Sequence, residues 1–169
     1  MSLLTDRDLY LFNEGSHVRL YELLGSHPGI VDGVEGANFA VWAPDAAKVH
    51  VMGAFNGWDE TGQPLEPRGQ SGIWEAFVPH ARPGNAYKYH VVSRHQGTAA
   101  DKADPFAFHA ETPPRNASIV WNLDYEWGDR EWMASRAARN SLNAPISIYE
   151  LHFGSWRRVT EDNNRWLTY

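Results

Sequence analysis

The residues best equipped for chemistry in this chain are an indole, an ammonium and an amide. Trp58 lies in the stretch Gly53-Ala54-Phe55-Asn56-Gly57-Trp58-Asp59. Asn56-Gly57 is a turn signal, which puts Trp58 at or beside a loop tip. Leaving a large aromatic side chain wet forgoes roughly 1.5–3 kcal/mol of burial. A sugar ring can use such a surface: its apolar C–H face lies flat on an indole while its hydroxyls seek polar partners in the ring plane. Lys88, between Tyr87 and Tyr89, can donate to such hydroxyls, and Asn116, just after Pro113-Pro114, can offer both halves of an amide. Each residue also has a plainer role open to it. Trp58 can fold back and plug the end of a domain, Lys88 can be a solvated outer-face lysine, and Asn116 can be a turn former.

Other chemistries find little support. The eight histidines show no metal-ligand spacing, and there is no cysteine, so no metal site and no cofactor are expected. Glu150 and His152 could share one face of a strand as an acid–base pair, or simply pack there. The sequence has no Gly-rich phosphate loop and no H-E-x-x-H helix. Asp101, Asp104 and Glu111 are scattered through one loop and do not form a glycosidase dyad.

Composition agrees with an ordinary globular domain. The chain has 169 residues, 43% of them hydrophobic, and a formal charge of −6. No basic run invites a phosphate backbone or an anionic membrane. No stretch approaches the ~20 apolar residues needed to span a bilayer. The start of the chain lacks the basic, apolar and small-residue order of a secretory signal. The absence of cysteine fits a reducing cytoplasm. Eight tryptophans fit either sugar binding or an aromatic core.

The elements that would position these residues are mostly short strands. Thr5 and Asp8 form a capping-box pattern ahead of Leu9, Leu11 and Phe12, with Gly15 as a stop, so a short helix is expected there. Leu20 to Leu24 form an apolar patch expected to pack outside the small domain, and His27-Pro28-Gly29 reads as a turn. Strands are expected at residues 38–43, 48–54, 72–79, 85–93 and 118–121, separated by Gly, Pro, Asn and Asp turns. Such spacing argues for an antiparallel sandwich of roughly 90 residues. Residues 127–140 read as a helix capped by Asp129. Residues 146–151, behind Pro145, are apolar on both faces, as in a covered parallel strand. That is how the first strand of a large α/β barrel begins.

In combination these motifs resemble a known family. Asn38-Phe39-Ala40-Val41-Trp42-Ala43-Pro44-Asp45-Ala46, the Trp58 loop, Tyr87-Lys88-Tyr89 and Asp104-Pro105-Phe106-Ala107 resemble the starch- and glycogen-binding sandwich of carbohydrate-binding module family 48. Ala144 to Arg158, with Asn163-Asn164-Arg165-Trp166-Leu167, resembles the start of the family 13 glycoside hydrolase barrel of bacterial 1,4-α-glucan branching enzymes. Tyr21-Glu22-Leu23-Leu24-Gly25-Ser26-His27 is similar to the segment those enzymes carry before the sandwich.

The resemblance implies an all-β fold: an antiparallel immunoglobulin-like β-sandwich with flanking short helices and the first strand of a truncated (β/α)8 barrel. The expected division is an N-terminal helical segment at 1–35, a glucan-binding sandwich at 36–123, a helical connector at 124–145 and the barrel's start at 146–169. It implies a cytoplasmic parent enzyme of glycogen synthesis that moves α-1,4 glucan segments to 6-hydroxyls. Its nucleophilic Asp, acid–base Glu and stabilising Asp come from later barrel strands, so this chain alone is expected to be inactive. The implied partner is an α-1,4-glucan such as glycogen or a maltooligosaccharide, with neither nucleic acid nor membrane, and the barrel is missing from the chain. Trp58, Lys88 and Asn116 stand where the family's modules contact glucan. The loop Arg94-His95-Gln96-Gly97-Thr98 lacks the second Trp found in some members, which implies weak binding.

Overall fold

A computed structural model describes residues 2–95 and 97–167. Gln96 and the last two positions of the expected barrel segment lie outside the described residues. The chain separates into two compact units, Met1–Asp124 and Tyr125–Tyr169. In order, the elements are α1 (Asp6–Glu14), β1 (Gly25–Val31), β2 (Val34–Trp42), β3 (Ala46–Gly53), β4 (Glu66–Pro67), β5 (Ile73–Pro79), β6 (Ala86–Ser93), β7 (Ala99–Lys102), β8 (His109–Ala110), β9 (Ser118–Ile119), α2 (Arg130–Arg139), α3 (Phe153–Trp156), β10 (Arg158–Val159) and β11 (Arg165–Trp166).

The first unit is the all-β antiparallel sandwich that the turn spacing implied. One sheet runs β1-β2-β5-β4; the other runs β3-β6-β9-β8, with β7 added to β6. Every strand pair is antiparallel. Alternation decides which side chains go inside. Ala37, Phe39 and Val41 of β2 and Trp74 and Val78 of β5 meet Val49 and Val51 of β3 and Tyr87 and Tyr89 of β6 in one core. Phe39 sits edge-on to Tyr87 with centroids 4.9 Å apart, the arrangement that ring quadrupoles favour.

A carboxylate is buried in this apolar layer. Asp104 Oδ2 accepts from the hydroxyls of Tyr87 at 2.7 Å and Tyr89 at 3.1 Å. Its Oδ1 accepts the Phe106 N–H at 2.8 Å, and its own N–H donates to the buried Ser118 hydroxyl at 2.8 Å. Burial raises the pKa of Asp104 despite these donors, and burial beside Asp104 raises those of both phenols.

The structure departs from the sequence reading in four places. The His27-Pro28-Gly29 stretch is the middle of β1, with Pro28 opposite Ala37. As an edge strand, β1 tolerates a residue with no N–H to give. The sheet therefore begins at Gly25, inside the expected 1–35 helical segment. Second, Leu24 is buried with Leu4, Ala40 and Ile73, and Leu9, Phe12, Leu20, Leu23 and Phe106 pack against them. This N-terminal patch covers the outer face of β2 and β5; it is not kept for something outside the sandwich. Here α1 has the expected capping box, Thr5 with Asp8, and ends at Gly15 with φ of 83°.

The other two departures lie in the second unit. Asp129 precedes α2, but its side chain makes no capping hydrogen bond. Residues 146–151 are not a strand: no ladder forms along them, and Ile146 and Ile148 are exposed. A strand exists through its pairing, and among the described residues no segment offers those amides a partner. Glu150 and His152 accordingly share no strand face; the His152 ring bonds the Ser155 hydroxyl at 2.7 Å. The small β10–β11 hairpin follows, with the Arg158 guanidinium over the Trp166 ring. Among the described residues of this unit none is buried.

The buried phenols make alkaline stability a measurable property. Their folded-state pKa values are raised above the ordinary 10.0. Their contribution is therefore complete below that pH and is lost as pH rises, because unfolded chains release phenolic protons that folded chains keep. Two such groups contribute a slope of up to about 2.7 kcal/mol per pH unit. Denaturant unfolding from pH 9 to 11 should show that fall, and Tyr89→Phe should remove about half of it.

Candidate functional site

The Trp58 loop leaves the end of β3 at Gly53. A Cβ on Gly53 would meet the Ala86 carbonyl oxygen at 2.4 Å and the Phe55 ring at 2.8 Å, so only glycine fits this close passage. Ala54–Asn56 then make one 3-10 turn. Asn56 builds the loop from inside. Its Oδ1 accepts the Gly53 N–H at 2.9 Å; its Nδ2 donates to the carbonyls of Val51 at 3.1 Å and Asp59 at 3.4 Å. Gly57 and Trp58 both adopt left-handed backbone, φ 65° and 64°, and the Trp58 N–H returns to the Gly53 carbonyl at 2.9 Å.

This geometry separates the two roles open to the loop's aromatics. Phe55 is the plug: it packs on the core, its ring 5.7 Å from Phe39. Trp58 is 42% exposed. Among the described residues, no aromatic ring stacks on it and no hydrogen bond takes its indole N–H. The left-handed region costs a non-glycine residue on the order of 1–3 kcal/mol, and here that cost falls on an indole that is only partly covered. Asp59 anchors the far side of the turn by accepting from the Thr61 N–H and hydroxyl at 2.9 and 3.0 Å; those bonds hold its pKa below the ordinary value.

Strand register relates Trp58 to the other two expected site residues. Gly53, Tyr87 and Ser118 form one row across β3, β6 and β9. Trp58 follows Gly53 in its loop, Lys88 is the residue after Tyr87, and Asn116 lies two residues before Ser118. Trp58 thus lies beyond that row, past the end of β3, whereas Lys88 and Asn116 lie on its other side, because β9 runs antiparallel to β6. Lys88 pairs with Met52, and alternation turns it away from the core that Tyr87 and Tyr89 fill. It forms no ion pair among the described residues. Asn116 is exposed, in a segment held by Glu111: the Glu111 N–H donates to the Ala117 carbonyl at 2.9 Å, and the Ala117 N–H to Glu111 Oε2 at 3.2 Å.

Two groups on this face escaped sequence reasoning. One is Asn56, whose turn signal hid its structural amide. The other is Glu60, His90 and Asp101, whose ligand atoms lie within 4.8 Å of one another. They come from a loop and two strands, so no sequence spacing could show them; strand pairing does, since His90 lies opposite Asp101.

Comparison with known proteins gives this sandwich a family. Residues 23–107 match carbohydrate-binding module 48 (isoamylase N-terminal domain), and the chain belongs to that family. It is also similar along nearly its whole length to proteins named 1,4-alpha-glucan branching enzyme GlgB. That of Paramagnetospirillum magneticum is 50% identical over 168 residues, covering 99% of this chain and 23% of that protein. That of Albidiferax ferrireducens is 52% identical over 155 residues, 91% and 24%. That of Aquifex aeolicus is 50% identical over 169 residues, 99% and 26%. The chain thus spans about a quarter of the length of the curated relatives it matches.

Asn56 gives the loop its testable weakness. Asn56→Ala deletes three hydrogen bonds and leaves the Gly53 N–H without its acceptor, which costs about 1–3 kcal/mol. Amide exchange at Trp58 should accelerate at least tenfold relative to β6 in that variant.

Proposed function

We propose that this chain is the glucan-binding N-terminal portion of a 1,4-α-glucan branching enzyme of glycogen synthesis. The parent enzyme transfers α-1,4 glucan segments to 6-hydroxyls in the cytoplasm. Residues 1–35 lead into a glucan-binding sandwich at 36–123, 124–145 connect, and 146–169 open the catalytic barrel. The observation that carries the reading is the open Trp58 indole on a module whose family is defined by carbohydrate binding. Whole-chain similarity to branching enzymes selects the glucan and the pathway.

In this reading the Trp58 ring is the seat for a glucose C–H face. Lys88 and Asn116 supply a cationic donor and an amide to its hydroxyls. The partner is glycogen or a maltooligosaccharide, and neither nucleic acid nor membrane is required. No helix is long and apolar enough to cross a membrane. Binding is weak, because stacking comes from one platform; a second stacking surface would add on the order of 1–2 kcal/mol.

The sandwich contributes binding and not bond cleavage. Its buried carboxylate, Asp104, is committed to two phenols and has no open acid partner. Glycosyl transfer through a covalent intermediate needs two carboxyl groups flanking one bond.

Titration with maltoheptaose, followed by amide chemical shifts, should move the signals of Trp58, Lys88 and Asn116. Trp58→Ala should weaken binding about tenfold or more. Unmoved signals at these three residues would overturn the site. Incubated with amylose, this 169-residue chain should create no α-1,6 branches; branch formation would overturn the division of labour.

A further inference from the structure

We propose that Glu60, His90 and Asp101 form a binding site for a divalent zinc-class cation on the outer face of the β3-β6-β7 sheet, with His50 as a neighbouring donor. Three chain segments converge there. His90 is on β6, Asp101 faces it on β7, and Glu60 comes from the loop between β3 and β4. Their ligand atoms lie within 4.8 Å of one another, and His90 Nδ1 is 2.8 Å from Asp101 Oδ1. Ligands at about 2.0–2.2 Å from a zinc ion stand roughly 3.5 Å apart, so closure needs about an ångström of movement. The exposed Glu60 side chain is free to supply it.

A fourth donor stands beside the three. His50 lies directly opposite His90 in the β3–β6 register, with ring centroids 6.4 Å apart. Its Nδ1 is buried and has no hydrogen-bond partner among the described residues. Burial, with His90 and Lys48 nearby, lowers the pKa of His50.

The donor set selects the cation. Imidazole nitrogen with carboxylate oxygen suits zinc and its neighbours, whereas magnesium and calcium prefer all-oxygen shells. Two carboxylates also match the charge of a divalent ion. The site would tie the 54–62 loop to β6 and β7, and Trp58 is two residues from Glu60 in that loop. Cation binding therefore stiffens the segment that carries the indole.

Calorimetric titration of the intact chain with zinc chloride should show one saturable equivalent. The melting temperature should rise by about 5 °C or more at a hundredfold excess over Kd, and the His50 and His90 ring signals should shift. Glu60→Gln, an exposed loop change that leaves the core untouched, should weaken binding at least tenfold, as should Asp101→Asn. His95→Gln, in a different loop, should bind as the parent does. Absence of saturable binding would overturn the site. So would Glu60→Gln and Asp101→Asn variants that bind zinc with undiminished affinity. Magnesium chloride should leave the melting temperature unchanged; an equal rise with magnesium would show an all-oxygen acidic site and overturn the assignment.

Discussion

The sandwich depends on one carboxylate held where water is excluded. Asp104 receives two phenolic hydroxyls and a backbone amide and gives its own N–H to Ser118. Burial of the charge is unfavourable, and the raised pKa of Asp104 records it. What the arrangement provides is position. Tyr87 and Tyr89 fill the centre of the core, and their hydroxyls could not be buried there without an acceptor. Asp104 gives them that acceptor while fixing the long excursion from β6 to β9 against the sheet. Removing one member strands the others, so the network is strongly directional where the surrounding apolar packing is not.

The same network lies level with the base of the Trp58 loop. Tyr87 is the middle of the row Gly53–Tyr87–Ser118, and Ser118 belongs to the Asp104 network. The Trp58 loop leaves beyond that row, and Lys88 and the segment with Asn116 lie on its other side. A polar cluster inside the core thus fixes the strands that flank the Trp58 loop. Asn56 repeats the principle on a smaller scale, tying three backbone groups of its own loop.

Much of this was legible in the sequence because it rests on alternation and turn chemistry. Val49 with Val51 and Tyr87 with Tyr89 announce their strands and inner faces, and Thr5 with Asp8 announces α1. Pro28 misled, since proline marks turns far more often than edge strands. Asp104 looked like one acid among several in a loop, because burial and its phenol partners are tertiary facts. His90, Asp101 and Glu60 were invisible as a group for the same reason. Residues 146–151 show the reverse failure: their apolar pattern is that of a covered strand, yet a pattern states a preference for burial and cannot provide the neighbouring strand that satisfies it.

Trp58 remains the residue whose placement the fold itself does not require. Phe55 already closes the end of the core, so no void calls for a second ring. The backbone at Trp58 is left-handed, and the residue is 42% exposed. A protein optimised for stability alone would place glycine or asparagine at such a position. Carrying a large rigid aromatic there is unfavourable on both counts, backbone and solvation, and the loop is reinforced by Asn56 and Asp59 to hold it so. In the proposed function the compensating free energy comes from outside the chain, from a flat apolar sugar face with polar edges.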